Sequence, residues 1–206
     1  MNKLIARTRT RTRTWLLAVA TAALASLAAP AHAVTFEGAS STGNSVVTDF
    51  SDIGKMAFDL DLKDIRPVVL SFRVDAADLT MPIAFNAVLR NLIGTGLEQL
   101  SFTLSASRFN SVGTVTRFFG GTTTASPAGG NRVGLVFNGP EFFDVELGNA
   151  FGTTPAATDW TLAHTAFQPG DRFTLTVAAV VPEPESFALM LAGLGVLGWL
   201  ARRRTT

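Results

Sequence analysis

Apolar and polar side chains alternate one by one along much of the chain. Met56, Phe58, Leu60 and Leu62 are interleaved with Ala57, Asp59, Asp61 and Lys63. Val68, Leu70, Phe72 and Val74 are interleaved with Val69, Ser71, Arg73 and Asp75. Phe102, Leu104 and Ala106 repeat the pattern, as do Phe173, Leu175 and Val177. A period of two places one face of each run inward and the other in water, which predicts half-buried antiparallel strands. Turn formers separate the runs: Asp52-Ile53-Gly54, Gly94-Thr95-Gly96, Gly120-Gly121, Gly129-Gly130-Asn131, Asn138-Gly139-Pro140 and Pro169-Gly170-Asp171. Many short strands at this spacing predict an all-β fold, a single antiparallel β-sandwich domain over residues 34–180. One run fits two periods. Phe85, Val88, Leu89, Leu92 and Ile93 suit a helix, while Ile83, Phe85, Ala87 and Leu89 suit a strand. The strand is preferred, because Gly94-Thr95-Gly96 before Leu100 suits a hairpin. The segments Gly120–Asn131 and Thr153–Ala157 are expected to be loops, including Thr122-Thr123-Thr124.

The pattern breaks at both ends. Met1 to Thr14 carries five positive charges (Lys3, Arg7, Arg9, Arg11, Arg13) and no negative one. An apolar, alanine-rich run follows from Trp15 to Ala29, and then the small-x-small sequence Ala31-His32-Ala33. This order predicts a secretory signal peptide over residues 1–33, cut by signal peptidase so that the mature chain begins at Val34. At the other end, residues 181–206 have three parts. Pro182-Glu183-Pro184 is rigid and acidic, Phe187 to Ala201 is free of charge, and Arg202-Arg203-Arg204 is basic. Fifteen helical residues reach roughly 22 Å at ~1.5 Å each, against a hydrocarbon core ~30 Å thick. The expectation is a short transmembrane helix, with Trp199 at the interface and the arginines on the cytoplasmic side. A buried core helix and a plain tail anchor are the alternatives.

With the ends set aside, about 150 residues remain, enough for one domain. Residues 34–181 hold nine basic and fourteen acidic residues, a charge of −5. That balance argues against nucleic-acid binding. The chain has no cysteine, which excludes disulfides and thiol chemistry.

The order of parts in the tail resembles the PEP-CTERM sorting signal, also catalogued as an ice-binding protein C-terminal domain. The resemblance implies an exported protein of a Gram-negative, exopolysaccharide-producing bacterium. It implies that Pro182, Glu183 and Pro184 are read by an exosortase, a membrane-embedded cysteine protease. On that reading the protein passes through the secretion machinery, is held transiently in the inner membrane, and then reaches the cell surface or the biofilm matrix. The resemblance covers the tail alone.

Candidate chemistry in the body is thin. His164 is the one histidine beyond the signal peptide, so neither the usual zinc site nor an ordinary triad is expected. Asp59, Asp61 and Asp64, with Asp49 and Asp52 nearby, are weak calcium candidates. They equally suit a solvated strand face. Glu141, Asp144 and Glu146 form a second acidic group whose use in glycoside hydrolysis needs a cleft. Trp160 suits either a sugar platform or a core anchor. The expectation is a non-enzymatic surface or matrix component without a cofactor. The rivals are a carbohydrate-binding module for exopolysaccharide and a secreted hydrolase.

Overall fold

The computed structural model describes residues 34–181 and 190–196. Thirteen strands account for most of the body. The first seven are β1 (Thr35–Ser41), β2 (Val46–Asp49), β3 (Lys55–Leu62), β4 (Val68–Arg73), β5 (Ile83–Asn91), β6 (Leu97–Leu104) and β7 (Phe109–Ser111). The rest are β8 (Val115–Arg117), β9 (Thr123–Ala125), β10 (Arg132–Glu141), β11 (Val145–Leu147), β12 (Trp160–Leu162) and β13 (Arg172–Val180). They form two sheets. One runs β1-β4-β13-β6-β10-β9. The other runs β2-β3-β5-β11-β8, with β12 joined to β5 and β7. The fold is all-β, as the alternation predicts. Short 3-10 turns at Ala76–Thr80 and His164–Ala166 and a helix over 190–196 complete the described elements.

The predicted inward faces are the observed core except at Ala106, which lies past the end of β6 and is exposed. Met56, Phe58, Leu60 and Leu62, then Val68, Leu70 and Phe72, then Phe102 and Leu104, and then Phe173, Leu175 and Val177 are all buried. The strand reading of the ambiguous run holds, since Ile83, Phe85, Ala87 and Leu89 all point into this core. Phe85 of one sheet meets Phe102 of the other edge-on at 6.0 Å between centroids. Trp160 packs at right angles to both rings, at 5.6 and 5.7 Å. Its indole N–H donates to the Thr114 carbonyl at 3.1 Å, so its polar atom is satisfied inside the core. Trp160 is an anchor and presents no ring to a sugar.

Three expectations need correction. The strands are not all antiparallel, because β3 and β5 pair in parallel from Lys55↔Ala84 to Leu62↔Asn91. The chain leaves β3, runs β4 in the opposite sheet, and returns beside β3 in the same direction. Parallel neighbours need such a crossover, and a period of two carries no information about direction. The second correction concerns β5 and β6, which lie in different sheets and form no hairpin. Gly94-Thr95-Gly96 is therefore an arch between sheets. Gly94 supplies a φ of 86°, and a Cβ on Gly96 would stand 2.3 Å from the Cβ of Pro140. The third concerns Thr123-Thr124, which lies in the edge strand β9 rather than in a loop.

The run from β11 to β12 shapes the outer surface. β3 lines one edge of β5 along its length, so β11 and β12 must share the other edge. β11 covers Ala87–Leu89 and β12 covers Ile83–Phe85. Only Asn86 falls between them. The chain departs there at Gly148 and comes back at Asp159. Asp159 closes the neck by accepting the Asn149 N–H at 3.0 Å.

Candidate functional site

β13 is a central strand, bonded to β4 on one side and β6 on the other. Its last pair is Val180↔Gln99. Val181 still packs against the core, and Pro182 follows it. A proline has no N–H for the ladder and pushes the preceding residue to extended geometry, so the sheet ends where the tail starts. From Val180 to Glu183 the chain spans at most about 11 Å at ~3.6 Å per residue. The Pro-Glu-Pro element is thus tethered closely to a folded body.

The sequence-predicted residues Ala31, Ala33, Pro182, Glu183, Pro184, Phe187, Trp199, Arg202, Arg203 and Arg204 lie outside the described residues. Part of the apolar run is described. Residues 190–196 form a helix without a polar side chain, in which Met190, Leu191, Leu194 and Val196 are all more than half exposed. Among the described residues no helix is long and apolar enough to cross a membrane. Val34 is buried in the core beside the start of β1.

The calcium candidates are engaged elsewhere. Asp59 and Asp61 project from β3 toward Arg90 of β5, which pairs with both. Asp64 instead accepts the Asn44 N–H at 2.7 Å and the Arg66 N–H at 3.0 Å. Those two backbone donors hold its carboxyl below the ordinary carboxylate range. Among the described residues no group of three or more acidic or histidine side chains is placed to hold a metal ion.

The second acidic group is also divided. Glu141 is buried and ion-paired with Arg117, and it accepts the Phe143 N–H at 3.0 Å. Asp144 stays partly exposed, and burial pushes its carboxyl up. Arg90 opposes that rise, while Asp61, Asp59 and Glu141 add to it. His164 opens a 3-10 turn after β12 and is half-buried.

Sequence reasoning missed three features. The buried Arg117–Glu141 pair is close in sequence to an exposed group of rings, where Phe119 lies 4.9 Å from Phe118 and 4.3 Å from Phe143. Asp78 is fully buried and caps two backbone donors, Gly54 N–H at 2.8 Å and Asp75 N–H at 2.9 Å. The Asp75-x-x-Asp78 spacing of a capping box was the available signal. Asn86 occupies an outward position by alternation, yet it is only 3% exposed.

The described body ends at Val181, directly before the tail whose order of parts resembles a C-terminal sorting signal. Residues 180–204 match the family model of the PEP-CTERM protein-sorting motif. The chain is therefore a protein carrying a PEP-CTERM sorting motif, and the motif implies export and recognition by an exosortase. Among the curated proteins and the solved structures compared with the chain, none matches it.

Proposed function

We propose that this is a non-enzymatic surface or biofilm-matrix protein of an exopolysaccharide-producing Gram-negative bacterium. The signal peptide over residues 1–33 directs export, and the body over residues 34–180 is a β-sandwich. The run from Phe187 to Ala201 parks the chain in the inner membrane, with Arg202 to Arg204 on the cytoplasmic side. An exosortase then reads Pro182-Glu183-Pro184 and releases the body toward the surface. The observation that carries this reading is the sorting-motif match over residues 180–204. The exposed apolar helix at 190–196 supports it, because such a surface calls for lipid or another helix. A hydrolase is disfavoured by the engagement of Glu141 with Arg117, which removes one carboxylate from any catalytic pair.

The test is Pro182→Ala with Pro184→Ala, followed by fractionation and mass of an internally tagged chain in a host with an exosortase. The proposal expects the wild type to lose its tail and reach the surface, while the variant accumulates uncut in the inner membrane. Equal cleavage and equal delivery of the two would leave a plain tail anchor instead.

A further inference from the structure

An open cleft of about 450 Å³ lies on the outer side of the seven-stranded sheet, where β11 and β12 part. Small-molecule sites occupy ~300–1,000 Å³. The walls include Lys55, Asn86, Asn149, Phe151 and Asp159. Asn86 is 97% enclosed, yet its Oδ1 has no hydrogen-bond partner. Buried amides are normally paired, and leaving one unmade costs about 1–3 kcal/mol. A Cβ on Gly148 would come within 1.9 Å of that oxygen, so the glycine makes room for the amide at this point. The terminal torsion of asparagine is broad and two-fold, so either end of the amide can turn to a ligand.

The lining chemistry narrows the occupant. Lys55 and Asp159 bring opposite charges, so a bare anion or cation meets one like charge. An apolar ligand would leave Asn86 unpaired. A hydroxyl group donates and accepts at once, which suits an ammonium, two carboxamides and a carboxylate in one cleft. Phe151 adds an exposed ring, and an aromatic face suits the C–H face of a sugar ring. We propose that the cleft formed by Lys55, Asn86, Asn149, Phe151 and Asp159 binds a neutral pyranose unit of a saccharide. The site uses residues remote in sequence from the sorting tail, so its failure and the failure of the sorting proposal are separate results.

The experiment uses the full chain, labelled with ¹⁵N-asparagine, in micelles of a detergent that is not a glycoside. Glucose, galactose, mannose and N-acetylglucosamine are titrated singly, with sodium phosphate as the anion probe. The readout is the side-chain amide signals of Asn86 and Asn149. The expected result is a saturable shift of both signals by at least one sugar. Lys55→Met and Asp159→Asn should each weaken that binding about tenfold, as expected for losing a charge-assisted hydrogen bond. Thr174→Ala, on the other sheet, should leave it unchanged. The proposal is overturned if no sugar shifts these signals, if phosphate shifts them and the sugars do not, or if Lys55→Met and Asp159→Asn, folded by their amide spectra, both bind as the wild type does.

Discussion

Breaking the Arg117–Glu141 pair should be among the most damaging single changes on the body. Both side chains are nearly dry, at 8% and 4% exposure. Arg117 also stands over the Phe137 ring, 5.3 Å from its centroid. Glu141→Gln keeps the shape and the acceptor for Phe143, but leaves a buried guanidinium without a counter-charge. Arg117→Met leaves the carboxylate with the Phe143 N–H alone. Losing one partner of a buried pair costs about 3–5 kcal/mol, out of a typical total of about 5–15. With a urea slope near 2 kcal/mol/M, the midpoint should fall by roughly 1.5–2.5 M. Arg117→Met should be the worse of the two by about 0.5–1 kcal/mol, the value of the lost cation–π contact. Arg117→Met with Glu141→Leu should recover most of the loss, since two apolar groups need no counter-charge. The assay is urea unfolding of the full chain in micelles, read by near-ultraviolet circular dichroism. Single-variant losses under about 1 kcal/mol, or a double variant as poor as the sum of the singles, would refute the reasoning.

Phe72 packs between Phe36 and Phe173, at 5.5 Å from each. Phe72→Ala should therefore cost about 3–5 kcal/mol in the same urea assay, and Thr174→Ala far less. The raised carboxyl of Asp144 predicts a pH signature. The unfolded chain ionises this group first, so the native state is penalised as pH rises through the ordinary carboxylate range and remains so above the raised value. Asp144→Asn should thus stabilise the protein at neutral pH and make no difference well below the carboxylate range; equal gains at both pH values would contradict this. Inserting Gly-Ser-Gly-Ser between Val181 and Pro182 should leave tail removal intact or speed it, as measured by product mass over time. Loss of cleavage would mean that the end of β13 is itself part of what the protease reads.

The sequence disclosed the core because burial there follows the period of two. Val68, Leu70 and Phe72 could be assigned inward from the spacing alone. Strand neighbours were less legible. The parallel pairing of β3 with β5 depends on a return from the opposite sheet, and Gly94-Thr95-Gly96 reads alike as a hairpin turn or an arch. Polar residues were the least legible. Alternation puts Asn86 among solvated positions, and only the path of the chain from Gly148 to Asp159 encloses it. Glu141 is in phase with the inward Val133, Leu135 and Phe137, but its charge hid that until Arg117 paired with it. The tail was legible because its message is linear: rigid acid, apolar run, basic end. Such a signal is legible without a fold, whereas the cleft around Asn86 depends on one.

If residues 1–33 are a cleaved signal peptide, as proposed, the burial of Val34 implies an order of events. If the bond cut is Ala33–Val34, the residue just past it is one the folded body holds at 1% exposure. A finished domain would hide its own processing site. On that reading, cleavage would come first, while the chain is still threading out unfolded and before β1 pairs with β4. The leader would then act as a timer as well as an address. A chain that folded too early would keep its signal peptide, with the cut bond locked beside the core.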